Sequence, residues 1–525
     1  MRKKGNRQKS SRLISSLALA VVAVTTTISV AAQTVAPHPA IVVNIIINGL
    51  DEECLALLHD HFPAGGFRRL TDEGVYFRSV DFGAPLDNAA ATALIMTGAD
   101  PSVNGVPAAV VYNVEAGKRQ SVFFDQNFIG NFTNETYSPR RLAVSTLADE
   151  VKVNGGVTSY VHAIAASPEQ AIALAGHAAN SAFWINDTSG KWATSTYYKD
   201  VPQVVQTANY HYPLSSRIDT IAWRPSQSVS KYPSLPRRLT LYPFNYTFSS
   251  RDNGCYRRFK ASAKANSEIA TAAANYIRNL NLGRHESTDM LNIAFNLQPY
   301  PYAKEPTARF ETLDAYFRLD RDLSAIFSAI TSTVGMKNAA VVVAGTPQKP
   351  AAIKDDSAYR IPTGTFSSRC AVSLLNMYLM AKYGNSQWVS AYFDCQFFLN
   401  RKAIDDARLD ISAFRADAAS FLAKMSGIVS ATPVDRLSAT RFVNAPEMGD
   451  IIVEVNPGWE IDEEDGSQPQ VVRAEATHSV AMILAPELKP AVINNSIDAH
   501  LLAPTVARLL HIRSPNAAKA QPFIF

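Results

Sequence analysis

Three groups of residues in this chain could do chemistry: the polar end of a buried strand, an acidic run and four cysteines. The segment Ile41-Val42-Val43-Asn44-Ile45-Ile46-Ile47 is mostly apolar and β-branched, so it reads as a buried central strand of an α/β sheet. The residue that closes such a strand faces the crevice at the carboxyl end of the sheet, where ligands bind. An aspartate there would attract a divalent cation, whereas Asn48 offers only a neutral oxygen. The run Asp462-Glu463-Glu464-Asp465 reads as a solvated loop rather than a metal site. Cys54, Cys255, Cys370 and Cys395 match no zinc spacing, and their even number suits an oxidising compartment. Cys370 and Cys395 flank a predicted helix and are expected to form a disulfide, while Cys54 suits a small buried position after the first strand.

The elements that must position these groups alternate. After the first strand, helices are predicted over 51–60, 89–96, 141–153, 266–279 and 312–332, with strands over 158–165, 290–296 and 339–344. This alternation predicts a mostly parallel sheet with helices on both faces. Two stretches interrupt it: 200–260, rich in Pro, Tyr and Ser, reads as a loop-dominated insertion. A larger insertion covers 355–470, with helices over 374–383 and 412–424 and a strand over 388–399. A closing helix over 501–510 starts near Asp498.

The 525 residues, 47% of them hydrophobic, are ample for a large core. The net charge of +4 is inflated by Arg2, Lys3, Lys4, Arg7, Lys9 and Arg12, so the rest is nearly neutral and gives no reason to expect a nucleic-acid partner. Those residues precede an apolar stretch, Leu13 to Val24, and a small-residue site at Val30-Ala31-Ala32, which together form a signal-peptide pattern over residues 1–32. A permanent N-terminal anchor is the lesser alternative, because the apolar stretch is short and followed by threonines. No cysteine near the cleavage site suggests lipidation, and no later segment is apolar enough to span a membrane. The expectation is an exported protein, periplasmic or secreted.

Several motifs in order along the chain carry a family resemblance. They are Gly65-Gly66-Phe67-Arg68-Arg69-Leu70 with Glu73-Gly74, Thr97-Gly98 with Pro101-Ser102-Val103-Asn104-Gly105, and Ala175-Gly176-His177 leading to Ala182-Phe183-Trp184. Ser189-Gly190, Thr194-Ser195-Thr196-Tyr197-Tyr198, Arg318-Leu319-Asp320-Arg321-Asp322-Leu323, Thr477-His478 and Ala503-Pro504-Thr505 follow. The chain resembles the alkaline phosphatase superfamily, in particular the secreted PafA-type alkaline phosphatases and their type I phosphodiesterase and nucleotide pyrophosphatase relatives. The resemblance covers 37–525 and implies a three-layer α/β/α sandwich with a mostly parallel central sheet and two insertions. It also implies two zinc ions about 4 Å apart, with a threonine or serine between them that attacks phosphorus.

Carried onto this sequence, that catalytic set is mostly replaced. The first-strand aspartate is Asn48, and the nucleophile position falls on Asn88, whose amide cannot form a phosphoryl ester. The phosphate-contacting asparagine falls on Ala109. The Lys-x-Arg clamp becomes Ser167 and Glu169, the latter repelling a phosphate. The second metal segment reads Gln298-Pro299-Tyr300-Pro301-Tyr302, placing Gln298 and Tyr302 where ligands are expected, and the end of the next strand carries Gly345 and Thr346. Only His478 keeps a ligand type, and one imidazole cannot hold two dications.

Rescue by Asp87 as nucleophile, or by Thr92, would need cations that these positions lack. His177 is expected to pack or cap. The aromatic residues Tyr197, Tyr198, Tyr210, Tyr212, Trp184 and Trp192 are expected to pack an insertion onto the core rather than line a cleft. The expectation is a monomeric pseudo-phosphatase without cofactor that binds a protein partner or a neutral ligand, since function lives in the site rather than the fold. The alternatives are a zinc-dependent phosphate ester hydrolase with an atypical site and a structural subunit of an envelope assembly.

Overall fold

The run of β-branched residues at 41–47 does form the centre of the molecule. In a computed structural model, which describes residues 38–305, 308–350, 363–437, 448–463 and 470–525, strand β1 (Ile41–Asn48) is buried along its whole length. It pairs in parallel with two neighbours, β5 (Asp289–Asn296) and β6 (Ala339–Thr346). The sheet continues through β3 (Val161–Ile164) and β4 (Ser181–Ile185) on one side. On the other side lie β7 (His478–Leu484) and β2 (Val75–Asp81). Strand β7 runs antiparallel to both β6 and β2; the other pairings among these seven strands are parallel. The predicted signal segment lies outside the described residues.

Alternation along β1 divides the core into two layers. Ile41, Val43, Ile45 and Ile47 face a cluster built with helices α3 (Ala263–Asn279) and α4 (Phe310–Thr333). Val42 and Ile46 face a second cluster with α1 (Asn88–Thr97), α2 (Pro168–Ala175) and the helix Leu502–Leu509. A sheet buried on both faces by helices is the three-layer α/β/α sandwich, and residues 38–525 form one compact unit.

Local sequence differs from prediction in instructive places. The helix predicted over 141–153 begins at Leu147, because Thr146 and Asp149 form a reciprocal capping box, and Pro139–Arg141 is a 3-10 turn. Besides its loops, the stretch 200–260 holds the short helices Gln203–Tyr210, Arg237–Leu241 and Cys255–Lys260 and contributes Trp223, Phe244 and Phe259 to the core.

Within this unit, the described residues between 363 and 472 build a lobe with a hydrophobic cluster of its own. Helices Ser368–Tyr383 and Ile411–Leu422 pack with a four-stranded antiparallel sheet that includes the hairpin Val389–Phe393/Gln396–Leu399. Its hydrophobic core, with Trp388, Phe397 and Phe414, shares no residue with the two cores around the main sheet. The hairpin replaces the single strand predicted over 388–399. Asp394 and Cys395 form its turn, both with positive φ (49° and 58°), as a two-residue type I′ turn requires.

The expected Cys370–Cys395 disulfide is not formed, and all four cysteines are free. Cys370 is exposed in the first turn of its helix, whereas Cys395 is held in the hairpin turn beside Tyr392, so the two thiols face different surroundings.

A candidate site at the carboxyl ends of the strands

Strands β1 and β6 end side by side, with Asn48 opposite Thr346 in the register. Helix α1 begins at the same end of the sheet. Asp87 caps it by accepting from the Ala90 amide at 2.8 Å, and Gly98 closes it in the left-handed conformation. Asn88 therefore stands in the first turn, over the strand ends. Helix α2, capped by Ser167, brings Gln170 to the same place.

Two interlocked amide networks fill this position. Asn48 Nδ2 donates to Gln170 Oε1 and Gln170 Nε2 donates to Asn48 Oδ1, both at 2.8 Å. Gln170 Nε2 also donates to Thr92 Oγ1 at 3.1 Å, and the Thr92 hydroxyl donates to the Asn88 carbonyl at 2.6 Å. Asn88 Oδ1 accepts from both Gln298 Nε2 and Thr346 Oγ1 at 3.1 Å. Gln298 completes the set by donating to the Pro347 carbonyl at 2.9 Å and accepting from the Lys349 amide at 2.7 Å. It can lie across the strand end only because Gly49, at φ +73°, has no side chain; a Cβ there would come within 2.9 Å of the Gln298 carboxamide.

The structure thus brings together Asn48, Asn88, Gln298 and Thr346. Gln170, which sequence reasoning missed, joins them; the one available signal was a buried asparagine at a strand end, which needs an amide partner. Other positions fall elsewhere. Ala109 contributes only its backbone, donating to Asp87 Oδ2 at 2.6 Å. Glu169 accepts from Ser121 Oγ at 2.8 Å, and burial pushes its carboxyl above the usual range. Gly345 packs so closely that a Cβ would meet Ser479 Oγ at 2.1 Å. Tyr302 lies outside the network with its ring 5.5 Å from Tyr300. His478 is mostly exposed, hydrogen-bonded to Thr477 at 2.9 Å, with Asp81 at 3.7 Å. Among the described residues no group of three or more His, Cys, Asp or Glu is placed to hold a metal ion.

These donors do not fit the zinc pair that the resemblance implies. Zinc takes thiolate, imidazole and carboxylate ligands, whereas this position offers carboxamides and a hydroxyl whose side-chain oxygens already take part in hydrogen bonds.

The acidic run is not simply solvated. Glu463 pairs with Arg119 at 2.7 Å, while Glu464 and Asp465 lie outside the described residues. Of the aromatic residues, Trp184 and Tyr198 are buried, whereas Tyr210 and Tyr212 are largely exposed, Tyr210 with its ring centre 6.0 Å from that of Phe132. Tyr197, with Phe128, His177, Asn180, Thr196 and Lys199, lines a depression of about 470 Å³. It lies at the amino end of β4, the opposite end of the sheet from the amide network. His177 caps and packs there: its ring nitrogens meet the Asp149 carboxylate and the Leu142 carbonyl, each at 3.0 Å.

Comparison with known proteins places the chain. The sequence profile of the type I phosphodiesterase / nucleotide pyrophosphatase family matches residues 42–481. The chain belongs to this family. It is 25% identical to alkaline phosphatase PafA of Elizabethkingia meningoseptica, covering 93% of this chain and 94% of that protein. It is 24% identical to alkaline phosphatase PhoV of Synechococcus elongatus, over 93% of each. The crystal structure of wild-type alkaline phosphatase PafA superposes with a TM-score of 0.79 at 23% identity, covering 93% of this chain and 98% of that one. The family fold is therefore present in full, within the alkaline phosphatase superfamily. No helix among the described residues is long and apolar enough to cross a membrane.

Proposed function

We propose that this chain is an exported family member that does not hydrolyse phosphate esters and acts by binding a protein partner or a neutral ligand. The observation that carries this reading is the closed amide network. A nucleophile must offer a lone pair to phosphorus, and Asn88 Oδ1 is a poorly nucleophilic carboxamide oxygen already accepting two hydrogen bonds. Electrostatic stabilisation of a phosphoryl transition state needs cations aimed at the developing charge. The side chains hydrogen-bonded to Asn88 are those of Gln298, Thr346 and Thr92, all neutral, and Glu169 stands at a clamp position. A monomer in the periplasm or outside the cell suits this reading.

The names of the relatives favour a second reading. Both PafA and PhoV are alkaline phosphatases, and on that ground the chain would be a zinc-dependent phosphoric ester hydrolase with an atypical site.

One sample separates the two: the purified protein, assayed for bound metal by plasma mass spectrometry and for p-nitrophenyl phosphate turnover. Metal below about one-tenth of an equivalent and no turnover are expected. Near-stoichiometric zinc with chelator-sensitive turnover would establish the hydrolase instead.

A further inference from the structure

The lobe of residues 363–472 meets the main sheet at a place that matters. A hairpin of the core, Val110–Asn113/Lys118–Ser121, rises from the rim of the strand-end crevice. Its base is tied there on both sides: the Ala109 amide donates to Asp87, and the Ser121 hydroxyl donates to Glu169. The lobe touches this hairpin with the flank and turn of its own hairpin. Arg119 Nη2 donates to Glu463 Oε2 at 2.7 Å, and its guanidinium lies 4.6 Å from the centre of the Phe393 ring. Tyr112 and Phe398 contact each other with ring centres 4.6 Å apart. The other Glu463 oxygen accepts from the Asp394 amide at 3.2 Å, so one carboxylate ties the turn to the core cation.

We propose that this lobe is a lid over the strand-end crevice, latched by Glu463 between Arg119 and the Phe393–Gln396 turn. Three observations support it. The lobe has its own hydrophobic core, so moving it breaches neither core of the main sheet. Among the described residues the contact includes a partly exposed ion pair, a cation–ring contact and a ring–ring contact, each of a kind that opens. The turn also sits where its charge is felt in the crevice, since burial and the nearby Asp87 both raise the Asp394 carboxyl above its usual range, against Lys349 and Arg119, which lower it. The device does not depend on whether the crevice binds or hydrolyses.

Hydrogen–deuterium exchange on the full chain tests it, read on peptides covering 106–121 and 389–399. Arg119→Ala and Glu463→Ala should each speed exchange in both peptides roughly tenfold. The reversed pair, Arg119→Glu with Glu463→Arg, should restore slow exchange, which a merely destabilised variant would not do. Unchanged exchange in both single variants would overturn the latch. Should the single variants not fold, Tyr112→Cys with Phe398→Cys replaces them. Oxidation of that pair should slow exchange in both peptides if the lobe opens, and exchange already at the slow limit before oxidation would overturn the lid.

Discussion

The two ends of the central sheet use opposite kinds of polar chemistry. At the amino end of β4, Asp149 is buried and ionic: it accepts from the amides of Thr146, His177 and Ala178 and pairs with the His177 ring. At the carboxyl ends of β1 and β6, the buried groups are neutral amides that satisfy one another. A buried charge is tolerated only where several donors converge on it. For Asp149 the amino end supplies three backbone amides from a helix cap and a following loop, and at the carboxyl end the part-buried Asp87 receives two. The comparison teaches that a buried carboxylate holds the helix and loop before β4, whereas carboxamides bonded to one another hold the ends of β1 and β6.

The comparison breaks most forcefully at Asp149. Asp149→Ala would orphan three backbone amides and leave His177 without its counter-charge, so a loss of about 4 kcal/mol is expected in a denaturant titration. The sign of the pH dependence follows. Although burial alone would raise it, hydrogen bonds from His177 and the backbone hold Asp149 below its ordinary 3.8, so its contribution is present above that pH and fades as pH falls further. The bond to Asp149 raises His177 above 6.5, so its contribution is full below 6.5 and fades as pH rises through the folded-state value. Wild type should therefore plateau between those limits, and the variant should be flatter at both edges. A variant as stable as wild type would erase the contrast between the two ends.

At the other end the reverse substitution is informative. Asn48→Asp restores the residue type that a metal would want, but its second oxygen would face Gln170 Oε1, which now accepts from Asn48 Nδ2. Gln170 cannot simply turn over, because its nitrogen is also needed by Thr92, whose hydroxyl hydrogen is already given to Asn88. A destabilisation of about 3 kcal/mol at neutral pH is expected, easing as acid protonates the new carboxyl. Added zinc should leave the unfolding midpoint of this variant unchanged. Rescue by zinc would mean that the remaining ligands exist and that the network is replaceable.

Much of the fold was legible in the sequence, and for a physical reason. The 41–47 run is β-branched and two-sided, and the helix predicted over 312–332 spans Phe310–Thr333 because its apolar residues repeat at helical spacing. At the strand ends the sequence pointed to Asn48, Asn88, Gln298 and Thr346 singly but not to their pairing: Asn48 and Gln170 are 122 residues apart and Asn88 and Thr346 are 258 apart, and no local pattern announces such pairs. The lobe's hairpin was missed because its turn is Asp394-Cys395, without the glycine that usually marks two residues of positive φ. Glu463 looked like solvent-facing charge because its partner, Arg119, lies 344 residues away.

The smallest effect is expected from reducing agent, and it sharpens what holds the lobe. A disulfide between Cys370 and Cys395 would close a loop worth about 3 kcal/mol, so dithiothreitol would lower the unfolding midpoint visibly if the bond existed. With both thiols free, the midpoint should move by less than about 2 °C. Thiol titration gives the complementary count. Cys370 is exposed and should react quickly in the native protein. Burial pushes the Cys54 thiol up to about 12 and the Cys395 thiol up to about 11, so both should react only slowly, and all four should titrate in denaturant. Two thiols missing from the denatured count, with a midpoint that falls on reduction, would restore the pairing and make the lobe a covalently braced unit. Four thiols and an unmoved midpoint leave its stability to the core around Trp388, Phe397 and Phe414, and its position over the crevice to noncovalent contacts such as those made by Arg119 and Tyr112.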